Sequence, residues 1–556
     1  MERQLLRNTP VNRSLLLPLI AALTLAGCAS VPPEDATGTG DGTAATDPQA
    51  SASPPPLMTG NRAVSDPPGS RQATDEAAPP DDLWERIRRG YAIPGHDNPR
   101  VARQFNDYAS YGDYWLRVSR RAQPYLHPIV ETLDDRGIPL ELALLPIVES
   151  AFRPFAYSHG RAAGIWQFIP ATGRHYGLEQ NWWYDGRRDV LAATEAAVDY
   201  LTYLGEMFEG DWLLAIAAYN AGEGTVQRAI ERNRRAGRPT DYWSLDLPEE
   251  TMNYVPRLLA ISELVADPER HGIELEPIAN RPAVEQIELD RQIDLALAAD
   301  LADIDMETLY RLNPGYNRWA TPPTGPHRLL LPRDRARAFR ARLAEQPDNA
   351  WMRWQRHQIA RGETLGGIAA QYHITVDSLR SANDLDGALI RAGDHLLVPI
   401  ASRPTGEYVM TAGARQQKTR NRQRDEGERR LYTVRSGDSF WSIAQRFGVG
   451  VRPLARWNGM APGDTLGVGE QLVVWTQRGS SDPQPDRRAR PGIAAGDRLQ
   501  SVTYSVREGD SLYRIARQFN VSINDLQRWN DLSADAYLQP GQSLRMRVDV
   551  TAQSSP

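Results

Sequence analysis

Residues 144–152 read Leu-Leu-Pro-Ile-Val-Glu-Ser-Ala-Phe, an apolar run with a single acid, Glu149, set into it. Burying an unpaired carboxylate costs several kcal/mol or forces the group to keep its proton. A free glutamate, with a pKa of about 4.3, is mostly ionised near neutrality. An apolar shell disfavours the anion, which is how a carboxyl is made into a proton donor. An isolated helical acid could instead turn to solvent or pair with Arg153, so the surroundings must decide. Pro146, which lacks a backbone N–H, starts or kinks the helix that carries Glu149.

Working outward, the stretch from Leu83 to about Leu275 has helical periodicity and dense aromatics, including Trp166, Trp182, Trp183, Trp212 and Trp243. Between Ala192 and Phe208, apolar residues at Ala196, Ala197, Tyr200, Leu201 and Leu204 have the spacing of a core-facing helix. One compact, mainly α domain is expected over 83–275. Within it, three further local features follow Glu149-Ser150: Ser158 with Gly164-Ile165-Trp166-Gln167-Phe168-Ile169-Pro170, then Ala218-Tyr219-Asn220-Ala221-Gly222, then Asn253-Tyr254-Val255-Pro256. Taken singly, Ser158 could cap a loop, Gln167 could sit on the surface, and Tyr219 and Tyr254 could be packing residues.

In this order the four features resemble the soluble-lytic-transglycosylase family, whose domain is a relative of goose-type lysozyme. The resemblance implies that Glu149 is the catalytic acid and that Ser158 supports the sugar N-acetyl group or the acid. It implies that Gln167, both donor and acceptor, suits an acetamido group. Tyr219 and Asn220 would line the cleft, with the Tyr219 hydroxyl close to the acid and Tyr254 as a further substrate-binding residue. Trp166 stands where much of the family has a smaller apolar residue, and it would either shape the cleft or pack the core. In such enzymes one carboxyl suffices: it protonates the bridging oxygen between MurNAc and GlcNAc, then helps the muramic C6 hydroxyl close a 1,6-anhydro ring. Hydrolysis by a retaining or inverting route ordinarily needs two carboxyls. Glu223, Asp185, Glu249 and Glu250 are the candidates for a second, and each lies in a polar stretch. A water-using muramidase, and a non-catalytic tether between membrane and wall, therefore remain open readings here.

Beyond Arg342 the chain repeats itself. Gly362-Glu363, Gly437-Asp438 and Gly509-Asp510 open three segments in which isoleucine, leucine, asparagine and glycine recur at shared offsets: Ile368, Ile443 and Ile515; Leu379, Leu454 and Leu526; Asn383, Asn458 and Asn530; Gly393, Gly469 and Gly541. Each segment reads as strand, two short helices, strand. The repeats resemble the LysM module, which binds N-acetylglucosamine-containing glycans, and this implies glycan contacts from Gly437, Asp438, Ser439 and Asn458, and from Gly509, Asp510, Ser511 and Asn530. The first copy departs from the others at Gly366-Gly367. A fainter echo at 290–333 keeps the Leu309–Asn313 interval and a Leu329-Leu330-Leu331-Pro332 strand, and is read as a degenerate fourth copy or a spacer.

The N-terminus carries Arg3, Arg7 and Arg13, an apolar stretch from Leu15 to Leu25, and then Leu25-Ala26-Gly27-Cys28. This is the pattern of a secretory signal, and LAGC resembles the bacterial lipobox, which implies lipidation at Cys28, the one cysteine in the chain. Ala29, rather than Asp, follows it and points to the outer over the inner membrane. Residues 28–82 are rich in Pro, Ala, Thr, Ser, Gly and Asp and read as a tether.

The expectation is a multidomain α+β chain. A signal peptide (1–27) and tether (28–82) precede a mainly α, lysozyme-like catalytic domain (83–275) and a LysM-like or spacer region (276–341). Small βααβ modules at 355–400, 431–475 and 503–547 follow, separated by linkers 401–430 and 476–502. The net charge of −6 over 556 residues argues against nucleic acid as a partner. The nine histidines show no HExxH or CxxC spacing, so neither metal nor cofactor is expected. The expected partners are peptidoglycan glycan strands and a membrane reached through the lipid anchor, at the periplasmic face of the envelope.

Overall fold

The computed structural model describes residues 80–95, 97–372, 374–424, 427–476, 499–506, 523–530 and 542–549, together with Ile515 and Leu532. Cys28, the signal segment and nearly all of the tether lie outside these residues, as do Gly509, Asp510, Ser511 and most of the 476–502 linker. The chain forms two compact units, divided after Ser480.

In the first unit, the helices from Leu83–Arg89 to Glu249–Ala266 form the mainly α domain. Four of them matter for the site: α1 (Leu145–Ser150), α2 (Val190–Met207), α3 (Trp212–Ala221) and α4 (Glu249–Ala266). Asp189 and Asp211 cap α2 and α3 by accepting backbone N–H groups of the first turn. The helix expected over 192–208 is α2, and its apolar positions from Ala196 to Leu204 are buried. Pro146 sits in the first turn of α1, so it starts the helix and leaves no broken bond inside it. All six residues of α1 are buried, which explains a run so greasy around an acid.

Residues 284–332 repeat the strand–helix–helix–strand order. β1 (Val284–Glu288) pairs antiparallel with β2 (Arg328–Pro332), and two short helices, Leu295–Ala302 and Met306–Leu312, lie between them. The same order returns with β3 (Arg353–Gln358) and β4 (His395–Ile400), and with β5 (Glu428–Thr433) and β6 (Gln471–Thr476). In the second unit β7 (Leu499–Ser505) pairs with β8 (Ser543–Asp549).

One side chain explains why asparagine recurs at its offset. Nδ2 of Asn458 donates to Leu454 O and Val473 O at 2.8 Å each, and its Oδ1 accepts from Val473 N at 2.7 Å. Asn383, Asn530 and Asn313 make the same three bonds in their own modules. The amide thus pins the second helix to the closing strand, a long-range constraint in a module too small to rely on its core alone. Its presence in 284–332 marks that region as the same kind of module.

That fourth module is built into the catalytic domain. Leu312 and Leu330 belong to the helical core, while Trp183 and Tyr184 of the helical domain belong to the module's core. Backbone bonds Asp185 N to Gly315 O and Asn317 N to Trp183 O stitch the seam, and Arg328 pairs with Asp189 at 3.0 Å. The region between β4 and β5, read as a linker, carries a helix, α5 (Ala412–Asn421).

Removing the pin tests its weight. Asn458→Ala would leave a buried backbone N–H and two carbonyls without partners, at about 1–3 kcal/mol for a donor so stranded. Amide exchange at Val473 and Val474 is expected to quicken in this variant while the catalytic helices keep their protection.

Candidate active site

Glu149 occupies the penultimate position of α1 and is only 6% exposed. Immediately after it the chain turns sharply, with Ala151 and Phe152 both left-handed at φ 51° and 54°. Neither is glycine, so the turn stores strain that the surrounding packing must hold. Ser150 helps to hold it: its hydroxyl donates to Pro146 O and, at 3.0 Å, to Ile165 O in the next motif. Across the site, Tyr254 on α4 is buried and donates its hydroxyl to Oε1 of Glu149. Pro256, two residues on, lies inside α4.

The second motif forms a tight loop against the acid. Gln167 is 9% exposed, has φ of 51°, and donates Nε2 to Gly164 O at 2.7 Å. Gly164 has φ of 82°, and a Cβ there would stand 1.9 Å from Arg187 O, so only glycine fits. Ser158 Oγ accepts from Ala162 N at 3.0 Å and closes the turn 158–162. Trp166 is fully buried, and its indole N–H donates to Thr194 on α2, so it packs the core and does not shape the cleft. Tyr219 on α3 donates to Trp166 O at 3.0 Å and so braces the backbone beside Gln167. Asn220 accepts from Thr251 at 2.8 Å, tying α3 to α4.

A cavity of about 840 Å³ opens over Glu149. Glu149, Ser158 and Gln167 line it; Tyr254, Tyr219 and Asn220, expected at the cleft, are not among its lining residues and connect to the site through the hydrogen bonds above. The far wall was not legible as cleft in the sequence. It comes from the fourth module, through Ala283, Val284, Thr308, Arg311, Leu312 and Pro332, with Met410 from the segment before α5. The hint was there, in that Leu312 and Leu330 carry the LysM-like pattern into an apolar seam, but only tertiary contact makes a wall of it.

Among the described residues that line the cavity, Glu149 is the single carboxyl. The acids weighed as a second carboxyl lie outside that lining. Asp185 is buried against Arg187 and Arg188; burial pushes its carboxyl up, but the two guanidinium groups outweigh this and hold it below the usual range. Glu223 accepts from Tyr200 at 3.0 Å, and burial chiefly drives that phenol well above its ordinary value. Glu250 pairs with Arg257 at 2.7 Å. The backbone carbonyl of Glu249 accepts from Asn253 within α4. Among the described residues no group of His, Cys, Asp and Glu could hold a metal ion.

In the second LysM module the expected glycan residues shape the turn. Asp438 accepts from Tyr432 and from Arg435 N, Ser439 caps the first helix, and Asn458 is the pin described above. Trp441, next to that turn, is 64% exposed.

Residues 129–241 match the transglycosylase SLT domain, 283–348 match the LysM-like domain of lytic transglycosylase MltD, and 357–399, 432–475 and 504–547 match the LysM domain. The membrane-bound lytic murein transglycosylase D of Escherichia coli (strain K12) is 36% identical over 471 residues, covering 85% of this chain and 86% of that protein. The chain belongs to the membrane-bound lytic murein transglycosylase D family. It is a peptidoglycan lytic transglycosylase carrying LysM modules. A putative tributyltin chloride resistance protein of Alteromonas sp. (strain M-1) is 46% identical over 125 residues, 22% of this chain and 60% of that one. The solved inactive mutant of lytic transglycosylase Slt from Pseudomonas aeruginosa covers 36% of this chain and 43% of its own at 20% identity, with a TM-score of 0.22.

For this family member, Tyr254→Phe removes the hydrogen bond that the tyrosine of α4 donates to Glu149. The initial rate of product release from purified sacculi is expected to fall roughly 10- to 100-fold, with the melting temperature little changed.

Proposed function

We propose that Glu149 is the general acid and base that cleaves the MurNAc–GlcNAc β-1,4 bond and closes the 1,6-anhydro ring. The observation that carries this reading is its isolation: one carboxyl on the cleft surface, nearly dry, with a tyrosine hydroxyl on one oxygen. A protonated Glu149 gives its proton to the bridging oxygen as the C1–O bond breaks. The resulting carboxylate then takes the proton of the C6 hydroxyl as that oxygen bonds to C1, so no water is consumed and Glu149 ends protonated. Tyr254 fixes the carboxyl's orientation through both steps and can lend a hydrogen bond while it is anionic. With Glu149 the one carboxyl among the described lining residues, this route is favoured over water attack, which needs a partner to activate the water.

Ser158 and Gln167, whose side chains reach the cleft, take the role of substrate contacts, and Gln167 has a carbonyl oxygen left to accept from an acetamido N–H. Tyr219 braces the backbone beside Gln167, Asn220 ties α3 to α4, and Tyr254 holds the Glu149 carboxyl. In the second LysM module the turn Gly437-Asp438-Ser439 and the exposed Trp441 ring offer a sugar-binding face; the residues at the same offsets in the third copy, Gly509, Asp510 and Ser511, lie outside the described residues and take the same role by sequence match. The buried Asn458 and the half-buried Asn530 serve these faces by holding the module together. Cys28 is the site of a lipid anchor that retains the enzyme on the periplasmic side of the outer membrane, a reading supported by the sequence LAGC-Ala and by a relative named as membrane-bound.

Mass spectrometry of digested sacculi checks the chemistry. The wild type should give muramic ends lighter by one water than hydrolysed ends, and Glu149→Gln should lower their yield at least about 100-fold; reducing ends from the wild type would refute ring closure. For the anchor, Cys28→Ser should move the protein from the outer-membrane fraction to the soluble periplasmic fraction, and retention in the membrane would refute lipidation at this cysteine.

A further inference from the structure

The loop that carries Ser158 is held from two sides. On its inner side the turn closes on itself through Ala162 N to Ser158 Oγ and the bridges Tyr157–Ala163 and Ala163–Phe168. On its outer side it meets a residue more than 300 positions away in sequence, in the second LysM module. Tyr157 donates its hydroxyl to Oδ1 of Asp464 at 2.9 Å and to Oδ2 at 3.2 Å. Nε of Arg161 pairs with the same carboxylate at 3.0 Å. Asp464 also accepts from Ala461 N at 2.8 Å, which fixes it in the turn between the module's second helix and β6. Its side chain is 17% exposed, so the contact is partly shielded from water. Arg161 itself is left-handed, at φ 66°, a conformation that needs support from outside the residue.

A second connection runs through α5. Arg415 lays its guanidinium 4.5 Å from the Phe155 ring centroid and donates to Met410 O, while Phe155 and Met410 both line the cleft. The other end of α5 joins the LysM module: Arg420 pairs with Glu470 at 2.6 Å, and Gln416 donates to the same oxygen. The module therefore grips the rim twice, once directly and once through the helix. No residue of 432–475 lines the cavity. The module braces the entrance and does not plug it.

We propose that Asp464 is a positioning residue for the lytic reaction: through Tyr157 and Arg161 it holds the 155–161 loop, and with it Ser158, in the geometry that the substrate requires. The inference rests on the reading of Ser158 as a substrate contact. A wall-binding module would then do more than raise the local concentration of substrate. Its docked state would set the shape of one edge of the cleft, because displacing a substrate contact by about 1 Å can cost on the order of 100-fold in rate.

A double-mutant cycle on the full-length protein tests this, with release of anhydro-muropeptides from purified sacculi as the activity and hydrogen–deuterium exchange of 155–163 as an independent readout. Asp464→Ala and Arg161→Ala should each lower the saturating rate roughly 3- to 10-fold, and the double variant should lose no more than the worse single, a coupling of about threefold or more. The amount of sacculi giving half the saturating rate should stay unchanged, because wall binding is untouched. A variant that had merely unfolded the module would raise that amount instead. Asp464→Glu should recover part of the rate, and exchange in 155–163 should quicken in Asp464→Ala. Tyr157→Phe, which leaves the LysM module intact, should shift rate and exchange in the same direction by less. Independent losses in the cycle, unchanged exchange in the loop, or variants faster than the wild type would each overturn the proposal. Because the exchange readout needs no turnover, it separates a failed brace from a failed assignment of Ser158.

Discussion

In the role proposed for Glu149, a carboxyl that must hold a proton has to be dry, and one that must deliver it has to reach the surface. The helix Leu145–Ser150 meets the first demand by burying every one of its residues. The two left-handed residues that follow meet the second, because they end the helix abruptly and let the chain leave at the cavity edge. Such a turn in Ala151 and Phe152 is unfavourable in isolation. It persists because the Ser150 hydroxyl bonds to Ile165 O and the tyrosine on α4 bonds to Glu149, which fixes the helix from two directions. The rest of the catalytic domain can be understood as the scaffold that keeps this short, strained element in place.

The modules show how one small fold serves two purposes. An asparagine pin and a two-stranded sheet recur four times along the chain. A unit of this size buries too little apolar surface to be firmly stable alone. The copy at 284–332 gains its stability by sharing cores with the helical domain, and in doing so becomes the far wall of the cleft. The copy at 428–476 keeps a core of its own and an exposed tryptophan, yet its Asp464 turn is engaged with the catalytic rim. The same pattern thus yields an internal wall in one position and a docked outer module in another, according to which apolar faces it leaves uncovered.

The electrostatics of the seam follow from burial. Arg188, Arg415 and Arg318 lie near one another with Asp185 as the adjacent carboxylate, and burial drives Arg415 down to about 9 and Arg318 down to about 10. Guanidinium groups so crowded are stabilised by stacking: Arg318 lies 4.0 Å from the Trp182 centroid and Arg415 packs over Phe155. Arginine suits this place better than lysine, because its flat, weakly hydrated head tolerates an aromatic face and partial burial. Asp185 and Glu250, two of the acids weighed as a second carboxyl, are paired with arginines, and Glu149 is the carboxyl that the described residues bring to the cleft.

Much was legible from local chemistry. The apolar run around Glu149, the period of Val190–Met207 and the start of α1 at Pro146 follow from residue type and spacing, because burial and backbone geometry act over a few neighbours. The repeat offsets revealed the LysM copies, since each is a closed local unit; the Asn offset was visible, although its purpose, a bridge to a strand some fifteen residues away, was not. Read from sequence, Tyr254 and Trp166 were ambiguous, and packing alone separated them: one hydroxyl meets the acid, while the other ring fills the core. The cleft's far wall and the Asp464 brace were beyond the sequence, since they depend on contacts across more than a hundred residues that no local pattern encodes. The sequence by itself determined the acid, its apolar setting and the modular order; the tertiary structure decided what faces the acid and what steadies it, because those properties belong to surfaces that exist only once separate modules have packed together.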